Sequence, residues 1–175
     1  MENKNEQLIY WTKLKHGEWN MYVAATAVGL CYIGSPNAPF EELEMWVRKR
    51  LPTYRLKEDL EVPQPYIGEI VDYLEGRNKA FRFSMDLHGT RFQQAVWKAL
   101  QELEYGQIVT YTDIAESIGR PKSVRAVGSA IGANPVLMFV PCHRVIAKSG
   151  RLGGFRAGLD MKEQLLELEK NKIYK

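Results

Sequence analysis

The sequence predicts an α+β fold, with a small N-terminal antiparallel β-sheet domain that carries helices and a mostly helical C-terminal domain that contains a helix-turn-helix. Strand-like runs alternate with turns in the first 35 residues, whereas helical periodicity and helix caps dominate after residue 89. The 175 residues are 45% hydrophobic and 26% charged, which is typical of a globular chain and excludes a disordered one. We therefore predict two domains, 1–88 and 89–175.

The first domain is predicted from short β-rich runs and two amphipathic segments. Leu43, Trp46 and Val47 share one face of a helical pattern, which alternates with glutamates on the other face. Residues 51–63 form a charged connection with a proline near each end. The predicted elements are strands at 8–14, 19–26, 27–34 and 81–87 and helices at 39–50 and 65–74.

The second domain begins with Thr90, which is placed to cap a helix that Gly106 closes. Thr110 and Asp113 have the spacing of a capping box and open a short helix that ends before Gly119. A second helix is predicted from Pro121 to about residue 134, so the pair forms a helix-turn-helix. The C-terminal helix is predicted from about residue 159 to residue 171.

The second helix of this motif has an unusual outer face. Val124, Val127 and Ile131 point inward by their spacing. The opposite side carries two glycines, each of which costs about 1 kcal/mol relative to alanine in a helix. A helix that presses its backbone against a large partner gains close approach from such residues. The pattern favours a recognition helix, and an ordinary core helix remains the alternative.

Positive charge is concentrated in one segment of the chain. No acidic residue lies between Glu116 and Asp160. The segment holds seven basic residues, Arg120, Lys122, Arg125, Arg144, Lys148, Arg151 and Arg156. This asymmetry indicates a polyanion such as nucleic acid as partner, with a solvated basic face as the alternative. The chain has no long apolar run, no signal-like N-terminus and two cysteines, so we expect a cytoplasmic protein with free thiols and no membrane partner.

Cys142 ends an apolar run and is followed by His143 and Arg144 in this acid-free segment, where a thiolate would be stabilised. A buried structural cysteine is the alternative. A histidine that acts as a base needs an orienting carboxylate. Helical phase places Glu169 on the border of the apolar face of the C-terminal helix, so Glu169 is the carboxylate able to face inward, whereas Glu163 and Glu167 point to solvent. A boundary glutamate with no role is the alternative.

The chain closely resembles the O6-alkylguanine-DNA alkyltransferases in the motifs Pro141–Val145, Asn134–Pro135 and Gly153–Leu159. The spacing of the motifs matches that family over about residues 90–170. The first 85 residues resemble that family only in length and element order. The resemblance implies irreversible, single-turnover transfer of an alkyl group, such as methyl, from O6 of guanine in DNA to Cys142, with O4 of thymine left open. The partner would be double-stranded DNA carrying O6-alkylguanine, bound in the minor groove with the base flipped out.

The resemblance also implies residue roles. His143 would take the thiol proton through a water, Glu169 would orient the imidazole, and Tyr111 would donate a proton to guanine N3. Asn134 would hydrogen-bond within the site, and Arg125 would fill the space of the flipped nucleotide. The DNA-binding residues would be Val124, Arg125, Ala126, Gly128 and Ser129. The substrate pocket would contain Pro141, Val145, Phe155, Arg156 and Lys162.

Three departures from the family concern Arg156, Phe155 and zinc. Several relatives have serine in place of Arg156 and tyrosine in place of Phe155. Some relatives hold a structural zinc in the N-terminal domain, which usually needs four ligands. Only His16, Cys31 and His88 remain here once the site is assigned, so we expect no metal, no cofactor and a core role for Cys31. A one-site protein that reacts once needs no partner subunit, so we expect a monomer.

Other functions remain open on the residues alone. A hydrolase or amidase would use the same Cys-His-Glu triad, and a helix-turn-helix regulator would explain the basic segment but not Cys142. An alkyltransferase-like protein that recognises lesions without repairing them would carry tryptophan at the cysteine position.

Overall fold

A four-stranded sheet and a group of packed helices make up the computed structural model, which describes residues 6–153 and 155–173. The strands are β1 (Leu8–His16), β2 (Trp19–Ala25), β3 (Leu30–Ile33), β4 (Arg55–Glu58), β5 (Val109–Thr110) and β6 (Val145–Ile146). The helices are α1 (Phe40–Arg50), α2 (Gln64–Leu74), α3 (Arg91–Gln101), α4 (Tyr111–Ser117), α5 (Val124–Gly132) and α6 (Leu159–Ile173). The predicted α+β class is confirmed. Among the described residues, no helix combines the length and the apolar character needed to cross a bilayer.

The N-terminal sheet has the strand order β3-β2-β1-β4. The predicted meander is confirmed, because β1 pairs antiparallel with β2 and β2 pairs antiparallel with β3. The sheet is nevertheless mixed, since β4 pairs parallel with β1 inside the segment that we predicted as a charged connection. Three of the four residues of β4 are exposed, and only Leu56 is half-buried. Such a charged edge strand lacks the apolar alternation by which strands are identified.

The predicted strand at 81–87 is wrong. This segment forms only a one-residue bridge between Leu30 and Met85. Phe81 packs on the ring of Phe139, with ring centroids 4.2 Å apart. The apolar character of this segment therefore reflects packing against the core and not strand pairing. The predicted start of α5 at Pro121 is also too early, because residues 121–122 form a turn before the helix begins.

The hydrophobic core crosses the predicted domain boundary. Leu14, Met21 and Val23 of the sheet belong to the same buried cluster as Trp97 and Val127 of the helical part. A second, smaller cluster packs the sheet against α1, with Leu43 and Val47 on the helix side. The division at residue 88 therefore stays a prediction.

A short parallel pair of strands positions the candidate site. Val109 pairs with Val145 across β5 and β6. Tyr111 directly follows β5, and a 3₁₀ turn, Cys142–Arg144, directly precedes β6. The predicted capping box of Thr110 is confirmed, since its hydroxyl accepts the backbone N–H of Asp113 at 3.1 Å. This pairing brings the start of α4 beside the cysteine turn.

Candidate active site

Cys142 is buried, and an amide side chain holds its sulfur. Asn134 Nδ2 donates to Cys142 Sγ at 3.2 Å and to the carbonyl oxygen of Val140 at 2.7 Å. Asn134 Oδ1 accepts the backbone N–H of Val136 at 3.0 Å. The predicted hydrogen-bonding of Asn134 within the site is present, and it fixes the amide completely. Because Asn134 donates to the sulfur, the thiol proton must point toward another acceptor.

The thiol of Cys142 is protonated in the resting site. Burial raises the pKa of this thiol, although the hydrogen bond from Asn134 and the charges of Arg156 and Lys162 act in the opposite direction. The expectation that this position stabilises a thiolate is therefore met only in part. The neighbouring cations favour the thiolate, but desolvation outweighs them, so reaction requires a base.

His143 and Glu169 form the predicted pair. His143 Nε2 lies 3.0 Å from Glu169 Oε2, and both side chains are buried. Burial alone would raise the pKa of Glu169, but hydrogen bonds and charge from His143 and Arg144 lower it from 4.5 to about 2. The inward position of Glu169 is confirmed, as is the exposure of Glu163 and Glu167.

The ionised carboxylate determines the state of the imidazole. Burial lowers the pKa of His143, despite the opposing effect of Glu169, so the ring is neutral at pH 7. An anionic carboxylate can only accept a hydrogen bond, so the imidazole proton resides on Nε2. Nδ1 then carries the lone pair, and this buried atom has no hydrogen bond to any described protein atom.

Two further side chains bind the carboxylate, and we had not assigned either of them to the site. Arg144 donates from Nε to Glu169 Oε1 at 2.8 Å and from Nη1 to the carbonyl oxygen of Leu103 at 2.8 Å. The hydroxyl of Tyr73, on α2, lies 3.2 Å from both His143 Nε2 and Glu169 Oε1. For Arg144, the sequence signal was its position directly after His143, the candidate base. Tyr73 gave none, because it lies 96 residues from Glu169.

Tyr111 lies against two glycines. A Cβ atom at Gly153 would lie 2.7 Å from the hydroxyl of Tyr111, and one at Gly128 would lie 3.9 Å from its ring. Gly153 also has φ of +67°, which disfavours any side chain there. Burial raises the pKa of Tyr111, and negative charge on Cys142 raises it further. Tyr111 is therefore a phenol that can donate a proton near the cysteine.

The outer face of α5 is open. Arg125, Ala126 and Ser129 are exposed, which fits the predicted DNA-binding face. Gly128 is half-buried against Tyr111, and Val124 is half-buried against the core. The helix is fixed from behind, because Trp97 Nε1 donates to the carbonyl oxygen of Ala130 at 2.9 Å.

The residues predicted for the substrate pocket lie in different surroundings. Lys162 is fully buried, and its Nζ donates to the carbonyl oxygens of Val145, at 2.7 Å, and Leu152. Phe155 is half-buried, with Lys162 Nζ 5.9 Å from its ring centre. Val145 is fully buried, and Pro141 lines a cavity of about 370 Å³. Contact of these four residues with a substrate stays a prediction.

Arg156 is the exception in this group, because its side chain is directed into the N-terminal part of the chain. It lies between β6 and α6, where we call the described residues 147–153 and 155–158 the pocket loop; Gly154 of the resembling motif is outside the described residues. The guanidinium donates to the carbonyl oxygen of Ile33 at 2.7 Å and to Glu42 Oε1 at 3.1 Å.

Among the described residues, the three considered for zinc do not form one ligand group. Cys31 is fully buried, with Sγ 3.4 Å from the carbonyl oxygen of Ala24, so its predicted core position is confirmed. His16 lies 3.1 Å from Glu75, and His88 lies close to a different carboxylate. Within residues 6–153 and 155–173, no group of three or more His, Cys, Asp or Glu side chains could hold a metal ion.

Comparisons with known proteins identify the family of this chain. Residues 91–171 match the family model described as 6-O-methylguanine DNA methyltransferase, DNA binding domain. A relative from Bacillus subtilis (strain 168), the inducible methylated-DNA–protein-cysteine methyltransferase, is 53% identical and is matched over 95% of this chain and 93% of its own. A second relative, from Methanosarcina barkeri, is 41% identical over 71% of this chain and 85% of its own.

Solved structures of methyltransferases share the fold of this chain. The crystal structure of the Mycobacterium tuberculosis O6-methylguanine methyltransferase has a TM-score of 0.81 and 33% identity, covering 94% of each chain. The Mycobacterium tuberculosis protein in complex with DNA has a TM-score of 0.79 and 33% identity, again with 94% of each chain covered. From the identity and coverage of the Bacillus subtilis relative, together with the site geometry, this chain belongs to the methylated-DNA–protein-cysteine methyltransferase family.

Proposed function

We propose that this protein repairs DNA by moving an alkyl group, methyl foremost, from O6 of guanine onto Cys142 in a reaction that consumes the protein. One observation carries the proposal: a buried cysteine thiol, held by Asn134, is followed in the chain by a histidine whose neutral imidazole an ionised carboxylate orients. The substrate is inferred from the family to which the chain belongs, and the reaction steps are inferred from the side chains of the site.

The first step is activation of the thiol. The lone pair on Nδ1 of His143 takes the thiol proton through one water, because adjacent residues rarely point in the same direction. Glu169 stabilises the resulting imidazolium through Nε2–H, which costs little reorganisation because that hydrogen bond already exists at 3.0 Å. Asn134 and the nearby cations stabilise the thiolate that remains.

The second step is displacement at the alkyl carbon. The thiolate forms a C–S bond as the carbon–O6 bond breaks, and the electron pair passes to the guanine ring. Tyr111 donates a proton to guanine N3, so restored guanine leaves as a neutral base. Tyr111 regains its proton from the imidazolium through solvent. The product thioether has no neighbouring group that cleaves a C–S bond, so each protein molecule reacts once.

The reacting carbon lies inside duplex DNA, so the lesion must leave the stack. We propose that α5 docks in the minor groove, where backbone approach and groove width matter more than base sequence. The small exposed residues Ala126 and Ser129 leave room for that approach, and Arg125 fills the space of the extruded nucleotide. A monomer suffices for this reaction. The monomeric state and the cytoplasmic location both stay predictions.

A competing function is hydrolysis by the same Cys-His-Glu arrangement. It would require turnover on acyl substrates, and it gives no reason for a glycine-containing basic helix beside the nucleophile. The relatives compared above are methyltransferases by name, which disfavours this alternative.

Stoichiometry tests the proposal. The protein is mixed with excess duplex DNA that contains one O6-methylguanine, and restored guanine and intact-protein mass are both measured over time. We expect one methyl group on each protein molecule and one restored guanine, with no further reaction. A matched duplex without the lesion is the control. Continued repair beyond one equivalent, or repair without a gain in protein mass, would exclude the proposed reaction.

A further inference from the structure

The guanidinium of Arg156 occupies the seam between the N-terminal sheet and the pocket loop. Its Nη2 donates to the carbonyl oxygen of Ile33, at the end of β3, at 2.7 Å. Its Nη1 donates to Glu42 Oε1, on α1, at 3.1 Å. The guanidinium carbon also lies 5.2 Å from the ring centre of Tyr32. One side chain of the pocket loop is thus bound to two elements of the first 50 residues.

The same guanidinium contacts the turn that presents Asn134. Its Nε donates to the carbonyl oxygen of Asn134 at 3.2 Å, and its Nη2 approaches that of Pro135 at 3.4 Å. The backbone N–H of Ile33 donates to the same Pro135 carbonyl at 2.9 Å. Because the side chain of Asn134 donates to Cys142, only Asn134 separates Arg156 from the nucleophile.

The acceptor for Arg156 is organised in advance. Glu42 Oε1 accepts the hydroxyl of Tyr32 at 2.7 Å and the backbone N–H of Ser35 at 2.8 Å. Burial tends to raise the pKa of Glu42, but these hydrogen bonds and the charge of Arg156 lower it. The two charged side chains are 20% and 30% exposed, whereas the surface pair Arg77–Asp72 is 61% and 50% exposed. Such a network holds one geometry better than an isolated surface ion pair does.

We propose that Arg156 is a positioning residue, through which the N-terminal part of the chain holds the pocket loop and the Asn134 turn in the geometry that alkyl transfer needs. This inference rests on the proposed function, since the geometry in question is that of Cys142 and its pocket. Beyond the effect of its charge on the thiol of Cys142, Arg156 acts through Asn134 and the loop, and it need not touch DNA. It gives the N-terminal part of the chain a role in the reaction.

The test separates the transfer step from DNA binding. Single-turnover repair is measured over a range of protein concentrations, which yields a maximal rate constant and a half-saturating concentration. We expect Arg156→Ala to lower the maximal rate constant at least about tenfold, since a misplacement of about 1 Å can cost about 100-fold. The half-saturating concentration should stay within about twofold of wild type because phosphate contacts, which set most of the affinity, are untouched. Arg156→Lys should recover only part of the rate, since an ammonium cannot reach all these acceptors.

Two further measurements fix the cause. Glu42→Gln should slow transfer in the same way, and the double variant with Arg156→Ala should be no slower than Arg156→Ala alone. Arg77→Ala, which removes a surface ion pair, is the control and should match wild type. Backbone amide exchange of the pocket loop, measured without DNA, should accelerate in Arg156→Ala and not in the control.

The outcomes are distinguishable. An unchanged maximal rate constant in Arg156→Ala, or a lower one with unchanged loop exchange, would overturn the positioning role of Arg156 while leaving the proposed function intact. A higher half-saturating concentration with an unchanged maximal rate would instead make Arg156 a DNA contact and would also overturn it. Failure of wild type to transfer methyl would remove the proposed function, and the exchange measurement would still show whether Arg156 holds the loop.

Discussion

Replacing Glu169 by glutamine should both weaken the fold and stop repair. The substitution keeps the shape of the side chain and removes its charge. In the folded protein this carboxylate is 1% exposed and accepts hydrogen bonds from Arg144 and His143. Its loss would leave the guanidinium of Arg144, itself 6% exposed, without a counter-charge.

Two routes give the size of the effect. The net fall in the pKa of Glu169 from 4.5 to about 2 corresponds to about 3 kcal/mol in favour of the charged form in the folded state. Removing one partner of a buried ion pair costs about 3–5 kcal/mol. Either figure is a large part of the free energy of unfolding, which is about 5–15 kcal/mol for a typical domain. Because the folded pKa is depressed, this stabilisation is complete above pH 4.5 and is lost as the pH falls toward about 2.

Urea unfolding at pH 7 measures the loss, with Glu167→Gln as control because that glutamate is exposed on the same helix. We expect Glu169→Gln to lose about 3 kcal/mol and the control to stay within about 0.5 kcal/mol of wild type. The stability gap should narrow between pH 4.5 and about 2. A loss below about 1 kcal/mol in Glu169→Gln would refute the buried pair.

The same variant separates stability from catalysis. A glutamine amide can donate to Nε2, which places the imidazole proton on Nδ1 and removes the base. We expect the single-turnover repair rate of the folded fraction to fall about 100-fold or more. Wild-type rates from folded Glu169→Gln would contradict the assigned tautomer.

Three further predictions concern other groups of the site. Gly153→Ala should slow single-turnover repair severely, because its Cβ would lie 2.7 Å from the hydroxyl of Tyr111. Gly150→Ala is the control for backbone strain, since Gly150 has φ of +86° and open space around it. Equal losses of rate in the two variants would contradict the steric argument. Arg125→Ala should slow repair in duplex DNA much more than in single-stranded DNA, because only the duplex has a base stack to fill. An equal loss of repair rate on the two substrates that changes only with salt would make Arg125 an ordinary phosphate contact. Because burial lowers the pKa of His143 below 6.5, the repair rate should fall on acidification only below that pH, and a midpoint above 6.5 in the pH–rate profile would exclude His143 as a buried neutral base.

Local sequence rules predicted those parts of the structure that are locally determined. The predicted capping box at Thr110 forms, and Thr90 caps its helix as predicted. Helical phase identified Glu169 as the carboxylate of its helix able to face inward. Each of these features depends on residues within a few positions along one element.

Contacts between distant segments were not predictable in the same way. The two-residue strands β5 and β6 have no periodicity to detect, yet their pairing places Tyr111 near Cys142. Arg156 reaches Glu42 across 114 positions, and Tyr73 reaches Glu169 across 96. A basic or aromatic residue fits many environments, so its partner becomes known only when the chain is folded.

The identity of the residue that accepts the methyl group tests the central claim most directly. Protein treated with duplex DNA carrying isotopically labelled O6-methylguanine is digested, and the labelled peptide is sequenced by mass spectrometry. We predict the label on Cys142 alone, no label in Cys142→Ser, and full labelling in Cys31→Ser, because burial in the sheet keeps Cys31 a protonated thiol. Label on Cys31, or stoichiometric transfer by Cys142→Ser, would contradict the account.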